Sequence, residues 1–128
     1  MAGDPQTFIP PDKAPPGGHY SHAVAGAGLV FVAGQLPIAP DGTRLGDATF
    51  EVQVQQALDN VALALAAAGS SVARLLQVRV YLTDLDRWPV FNAIYAHWAG
   101  AARPARAVVP VAHLHFGFLI EIEATALA

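Results

Sequence analysis

The segment that most constrains the fold is LQVRVYLT at residues 76–83, in which apolar and polar side chains alternate strictly. Such an alternation places every second side chain on one face and predicts a strand with one buried face. Before it, apolar residues recur at spacings of three and four between residues 50 and 68, and Gly69 follows. That pattern predicts an amphipathic helix that ends at the glycine.

Aromatic residues mark a second helix after this strand. We expect it to begin at Asp84 or Asp86, whose carboxylates suit a helix amino terminus, and to end at Gly100. Its aromatic side chains recur at helical spacing as one stripe, a pattern that is more often core or subunit interface than a cofactor site. The members of the stripe are Trp88, Phe91, Tyr95 and Trp98.

Four further segments have the length and apolar content of strands. They are residues 20–24, 29–33, 106–112 and 118–127. GAG at residues 26–28 predicts a hairpin turn between the first two, since a phosphate loop would need a third glycine and a following helix. The order strand, strand, helix, strand, helix, strand, strand predicts an α+β fold with two helices packed on one face of a mixed sheet.

The chain divides into a short arm and one domain. Residues 1–18 hold five of the ten prolines and predict an extended arm without regular structure. Residues 19–128 then form a single domain of the usual size for one hydrophobic core. The amino terminus lacks the basic and apolar segments of a signal peptide, so we expect a cytoplasmic protein. The absence of cysteine excludes disulfides and thiolate catalysis.

Charged residues make up only 13% of the chain, about half of the ~25% typical of soluble domains. Either the alanine-rich composition accounts for this, or part of the surface is buried in an oligomer. Seven basic residues against ten acidic ones, without a basic patch, disfavour nucleic-acid binding. No apolar stretch approaches the roughly 20 residues that span a bilayer, so we expect no membrane partner.

Beyond Arg106 the chain carries only two formally charged residues, Glu121 and Glu123. Side chains alternate in FLIEIE at residues 118–123, so both glutamates project from one face and the isoleucines from the other. A guanidinium fork binds a small carboxylic acid bidentately, while a glutamate handles a proton or a water molecule. Two structural alternatives stay open here, a solvated strand face and a simple Arg–Glu ion pair.

The histidines offer a weaker candidate site. His113 and His115 are separated by one residue and could form a metal-binding pair. They fall where the chain must turn, and no third ligand is evident. We therefore expect no metal at this pair of histidines.

Seven short motifs follow one another from about Ala14 to the end of the chain. They are GHYSHAV at residues 18–24, VAGQLP at 32–37, QALDNV at 56–61 with AAAG at 66–69, VYLTDL at 80–85, FNAIY at 91–95, PAR at 104–106 and IEIEA at 120–124. No single motif is decisive, but seven in register are highly specific. Together they resemble the signatures of the RidA/YjgF family of small oligomeric imine deaminases.

The resemblance implies a chorismate-mutase-like fold assembled as a homotrimer, in which the sheets pack into a closed barrel with sites in the clefts between subunits. It also implies hydrolysis of reactive 2-imino acids and enamines, such as 2-iminobutanoate and 2-iminopropanoate, to 2-keto acids and ammonia. In such a protein Arg106 clamps the substrate carboxylate and Glu121 positions the attacking water, without a cofactor. Further positions that match the family's substrate-binding or supporting residues are Tyr20, Gly34, Asn92 and Val108.

Four features depart from the family pattern. Ala33 stands where many members have serine, and His19 replaces the usual proline before the tyrosine. The loop LHFG at residues 114–117 lacks the proline that normally follows its leucine, and Pro110 lies inside a predicted strand, which indicates an edge or bulge. These departures bear on the size and preference of the substrate.

Two other functions are compatible with the resemblance. A non-catalytic trimer that binds small carboxylic metabolites would keep Arg106 without depending on Glu121. An endoribonuclease or translation inhibitor is the other alternative, and the acidic charge balance disfavours it.

Overall fold

The computed structural model contains a six-stranded mixed sheet with two helices on one face. It describes residues 3–128, so the first two residues of the predicted arm lie outside the described part of the chain. The strands are β1 (Gln6–Phe8), β2 (Ala23–Gly26), β3 (Leu29–Gln35), β4 (Leu75–Leu82), β5 (Ala105–Pro110) and β6 (Ile120–Leu127), and the helices are α1 (Phe50–Ala67) and α2 (Trp88–Ala99). The strand order is β1-β2-β3-β6-β4-β5, with β4 and β5 parallel and the other pairs antiparallel. The predicted α+β architecture is confirmed.

Helix α1 matches its sequence prediction to within a residue. The hydroxyl of Thr49 accepts a hydrogen bond from the backbone N–H of Val52 at 3.3 Å and caps the first turn. After the helix, Gly69 has a φ of 77°, a left-handed conformation that glycine adopts without steric penalty. The face of α1 toward the sheet is fully buried and includes Val54, Leu58, Val61 and Leu65.

The two faces of the sheet differ in what covers them. Beneath the helices the strand side chains are fully buried, among them Val78, Val80, Ile120 and Ile122. Glu121 and Glu123 alternate with these isoleucines and share the opposite face, as predicted. Neither α1 nor α2 covers that second face, where Phe31 and Leu127 leave 49% and 42% of their surface exposed.

The amino-terminal arm contains more regular structure than the sequence predicts. Strand β1 pairs antiparallel with β2, from Gln6 opposite Ala25 to Phe8 opposite Ala23. The expectation that residues 1–18 lack regular structure is therefore wrong for β1. Backbone N–H and C=O groups pair with a free sheet edge whatever the side-chain pattern, and a three-residue strand is too short to show a periodicity.

The ends of the other strands shift by a few residues from their predicted positions. The predicted hairpin turn is confirmed: Ala27 and Gly28 join β2 to β3 with φ values of 53° and 77°, which suit a tight two-residue loop. Pro110 is the last residue of β5, an edge strand, as its proline indicates. Within residues 3–128 no helix is long and apolar enough to cross a membrane.

Candidate active site

Arg106 lies on the helix-bearing face of the sheet. Parallel pairing places it opposite Val78, which is fully buried under the helices. Its Nη1 donates a hydrogen bond to Oδ1 of Asn92 in α2 at 3.0 Å. The guanidinium is therefore held against the second helix by a directional contact, and part of its donor capacity remains for a ligand.

The aromatic stripe of α2 surrounds the same guanidinium. The Cζ of Arg106 lies 4.7 Å from the ring centroid of Tyr95, 5.6 Å from that of Phe91 and 5.8 Å from that of Trp88. Phe91 is fully buried and Tyr95 is 7% exposed, so the stripe contributes to the core as predicted. Cation–π contacts of this kind orient the arginine and exclude water from one side of it.

A cleft of about 460 Å³ opens beside this arginine. It is formed by the end of α2, the turn that follows and the start of β5, and its lining residues are Asn92, Tyr95, Ala96, Ala99, Gly100, Ala102, Arg103, Pro104 and Arg106. The lining holds two guanidinium groups and, within the described part of the chain, no carboxylate. This cleft, which we call the Arg106 cleft, suits an anion.

Glu121 lines a second cleft, of about 450 Å³, on the other face of the sheet. Its carboxylate packs directly on Gly34 of β3, where a bulge interrupts the pairing of β3 with β6. A Cβ at position 34 would overlap Oε2 of Glu121 and lie 2.9 Å from its Cδ, so only glycine permits this approach. The lining of this Glu121 cleft comprises Gly17, Gly18, Tyr20, Ala33, Gly34, Leu36, Ile38, His115, Phe116 and Glu121.

The environment of Glu121 favours its protonated form. Burial raises the pKa of this carboxyl, the nearby charge of Glu123 adds to the rise, and His115 opposes it. Among residues 3–128 no hydrogen bond or ion pair holds its carboxylate. A carboxyl group whose pKa is raised in a cleft is a candidate for an acid–base role.

Glu123 is engaged with its neighbours instead. Its Oε1 accepts a hydrogen bond from the hydroxyl of Tyr81 and lies 3.8 Å from Nη1 of Arg79. The hydrogen bond to this carboxylate raises the pKa of Tyr81. These contacts are structural, so the two glutamates, which the sequence leaves equivalent, differ in the structure.

Residues at the end of the arm line part of the Glu121 cleft, and a buried polar cluster holds this segment in place. Nε2 of His22 donates to the carbonyl oxygen of Ala14 at 2.8 Å, so its Nδ1 accepts from Nε2 of Gln35 at 3.3 Å. Burial lowers the pKa of His22, which favours this neutral form. These contacts fasten the segment that carries Tyr20 onto β3.

A family model described as endoribonuclease L-PSP matches residues 11–128. The chain belongs to the RidA/YjgF family. A RutC family protein from Pyrococcus horikoshii is 39% identical over 116 residues, which cover 90% of this chain and 92% of the relative. Among solved structures, the Rid-family protein YyfA from Yersinia pestis has a TM-score of 0.92 at 30% identity and covers 98% of this chain and 100% of its own. E. coli TdcF, solved with bound serine, has a TM-score of 0.88 at 30% identity and covers 96% and 98%.

The family positions fall into two groups in the single chain. Tyr20 and Gly34 line the Glu121 cleft with Glu121, whereas Asn92 lines the Arg106 cleft with Arg106.

Two remaining points of the sequence analysis concern the single chain, namely the position of Val108 and the alternative of a simple Arg106–Glu121 ion pair. Val108 packs against the hydrophobic core and lines neither cleft, because its pairing with Val80 turns it toward the helices. An Arg106–Glu121 ion pair is also absent, since β4 lies between their strands and their side chains project from opposite faces.

Sequence analysis did not single out Phe116 or Arg44. Phe116 lies at the Glu121 cleft with a left-handed backbone, φ 57° and ψ 21°, and the Cζ of Arg44 stacks 3.6 Å from its ring centroid. The departure of the loop 114–117 from the RidA/YjgF pattern was the one signal that pointed here. A single residue's backbone conformation leaves no periodic trace in a sequence.

Proposed function

We propose that this RidA/YjgF protein hydrolyses reactive 2-imino acids to 2-keto acids and ammonia at sites shared between the subunits of a homotrimer. The observation that carries the proposal is the division of complementary chemistry between two clefts. The Arg106 cleft offers guanidinium groups without a carboxylate, and the Glu121 cleft offers a carboxyl without a lysine or arginine among its described lining residues. A 2-imino acid needs both, because its carboxylate is bonded directly to the carbon that water attacks.

Arg106 is the proposed clamp for the substrate carboxylate. Two parallel N–H donors of a guanidinium match the two oxygens of a carboxylate. The hydrogen bond to Asn92 and the stacking on Tyr95 hold the fork in one orientation before a ligand arrives. Preorganisation of this kind reduces the entropy that is lost on binding.

Glu121 is the proposed acid–base group. Its carboxylate accepts a proton from water while the water oxygen bonds to the imine carbon, and the protonated carboxyl then returns the proton to the nitrogen. The same carboxylate then takes the proton of the adduct's hydroxyl group and passes it to the amino nitrogen as the carbon–nitrogen bond breaks, which releases ammonia and leaves the 2-keto acid. The raised pKa of Glu121 supports this proton cycle, and no step requires a metal or an organic cofactor.

Assembly into an oligomer can bring the Arg106 cleft of one chain next to the Glu121 cleft of its neighbour. The low charge content and the uncovered sheet face, with Phe31 and Leu127 exposed, favour an oligomer. TdcF, a relative of known structure, binds serine, which carries a carboxylate next to a carbon bonded to nitrogen. Sedimentation at micromolar concentration should therefore give about three times the chain mass of 13.4 kDa.

Subunit complementation tests the shared site directly. Arg106→Ala and Glu121→Gln are each expected to be inactive on imines generated in situ by an amino-acid oxidase. Co-expressed at equal levels, the two variants should assemble randomly and recover about a quarter of the wild-type activity, since that share of interfaces carries both intact groups. Mixed trimers that stay inactive would contradict a site built from two chains.

The same preparation separates hydrolysis from simple binding. A trimer that binds unreactive 2-keto acids but does not accelerate imine loss would be a metabolite-binding member of the family. An RNA-cleaving role gains no support from the Glu121 cleft, because within the described residues its lining contains no lysine or arginine.

A further inference from the structure

Phe116 adopts a conformation that a phenylalanine rarely tolerates. Its φ of 57° lies in the left-handed region, where a side chain crowds the backbone. In addition, 55% of its surface is exposed, so burial does not compensate for the strain. A strained, exposed aromatic residue at a cleft points to a role in contact with a ligand.

Two contacts hold the ring of Phe116 in place. The guanidinium of Arg44 stacks on one face at 3.6 Å, and the ring of Phe118 meets it edge-on at 5.8 Å between centroids. Arg44 is itself placed by a β-bridge to Ile38, another residue of the cleft wall. Gly46 permits the close packing, since a Cβ there would lie 3.3 Å from the carbonyl oxygen of Phe116. The ring is thus presented as a rigid surface.

The wall of the Glu121 cleft beyond the carboxylate is apolar. Leu36, Ile38 and Phe116 contribute its large side chains, and within residues 3–128 its ionisable lining groups are Glu121, His115 and Tyr20. A volume of about 450 Å³ falls in the range of about 300–1,000 Å³ typical of clefts that hold drug-sized ligands. The cleft therefore has room for a large apolar side chain.

We propose that Phe116, together with Leu36 and Ile38, forms a side-chain subsite that selects 2-imino acids with branched or aromatic side chains over alanine-derived ones. This inference rests on the proposed hydrolysis and names its substrate class. The carboxylate of such a substrate is held by the Arg106 cleft of a neighbouring subunit, its imine carbon meets Glu121, and its side chain lies against the Phe116 ring.

The test compares imines derived from leucine, phenylalanine and alanine. Wild-type kcat/KM is expected to be about tenfold or more higher for the first two, since a few buried methylene groups give discrimination of that size. Phe116→Asn removes the ring but keeps a residue that tolerates the left-handed backbone. It should erase most of this preference, because kcat/KM should fall about tenfold more for the leucine- and phenylalanine-derived imines than for the alanine-derived one.

Two further variants control for other effects. Phe116→Tyr keeps the ring and should keep the preference. Leu85→Ala alters an exposed apolar side chain, 48% exposed, that lies outside both clefts, and should change none of the three rates. An equal loss on all three imines in Phe116→Asn, or a wild-type preference for the alanine-derived imine, overturns the subsite.

Calorimetry with unreactive 2-keto acids distinguishes failure of the subsite from failure of the proposed hydrolysis. The keto acid of leucine should bind more tightly than that of alanine, and Phe116→Asn should remove the difference. If this pattern appears without any imine turnover, the subsite stands and the proposed hydrolysis fails. If no side-chain preference appears in binding, the subsite is wrong whatever the turnover.

Discussion

The Arg106 cleft and the Glu121 cleft are similar in size, about 460 and 450 Å³, and opposite in character. In the first, the ionised group already has partners: an amide oxygen and three aromatic rings hold the guanidinium. In the second, the ionisable group has none within the described residues and packs against the backbone of Gly34. In the Arg106 cleft the guanidinium is held in one orientation by its partners. In the Glu121 cleft burial disfavours the charged form of the carboxyl group.

This difference shows how one sheet can keep a cation and a reactive carboxyl from neutralising each other. Were Arg106 beside Glu121 in the same chain, the guanidinium would lower the pKa of the carboxyl and occupy the fork. Their placement on opposite faces of the sheet prevents both effects within one chain. The following experiments test that separation, beginning with the largest expected effect.

Loss of the guanidinium should abolish saturable activity. Arg106→Ala removes the only proposed carboxylate contact, and Arg106→Lys should recover little, because an ammonium supplies a point charge in place of two parallel donors. The measurements are imine turnover and calorimetric binding of a 2-keto acid. Arg74→Ala, which removes an exposed arginine outside both clefts, serves as the matched control.

The melting temperature of the Arg106 variants must be followed alongside, since Asn92 loses a partner in Arg106→Ala. Wild-type affinity for the keto acid in folded Arg106→Ala would show that another group holds the carboxylate. The proposed role of the Arg106 cleft as the carboxylate site would then be wrong.

The two glutamates should separate in their kinetic effects. Glu121→Gln removes the proposed acid–base group and should lower kcat by about 10²-fold or more. Glu123→Gln removes a charge on the same strand face that is already engaged with Tyr81 and Arg79, so turnover should change little while thermal stability falls. Steady-state kinetics on both variants give the two kcat values. Equal losses of kcat would show that the acid–base role is wrongly assigned to Glu121.

A smaller effect concerns stability and pH. Burial raises the pKa of Glu121, so the folded chain binds more protons than the unfolded chain between the ordinary and the raised pKa, and stability falls as pH rises through that window. On an Arg106→Ala background, where no partner guanidinium can compensate, Glu121→Gln should therefore raise the melting temperature at pH 7. The gain should disappear as the pH falls well below the ordinary pKa of a glutamate, where the carboxyl is protonated in both states.

The same substitution with Arg106 intact provides the comparison. If Arg106 of a neighbouring subunit lies beside Glu121, the rise in melting temperature caused by Glu121→Gln should be smaller than on the Arg106→Ala background, or should reverse. Identical shifts on both backgrounds would mean that the two groups never approach each other in the assembly.

Local patterns in the sequence predicted most of the fold. The alternation around Glu121 correctly placed both glutamates on one face, and the helical spacing of residues 50–68 predicted α1 almost to its ends. Both features depend on neighbours a few residues apart. The family motifs, which are also local, correctly predicted the RidA/YjgF fold.

The division of the site could not be predicted from those patterns. The face that Arg106 occupies depends on the parallel register of β5 with β4, and its distance from Glu121 depends on β4 lying between β5 and β6. Both are pairings between distant parts of the chain. The strain at Phe116 is a property of one residue in a loop, for which no repeat exists.

The aromatic stripe of α2 contains intrinsic fluorophores. Both tryptophans of the chain lie in that helix: Trp88 near the guanidinium of Arg106, and Trp98 with its ring 5.9 Å from that of Tyr95. Neither indole lines the Arg106 cleft, but Trp88 lies near its guanidinium, so intrinsic fluorescence offers a label-free probe of ligand binding there. The lining of the Glu121 cleft also contains no indole among the described residues, so a change in tryptophan emission on adding a keto acid would point to a ligand near α2.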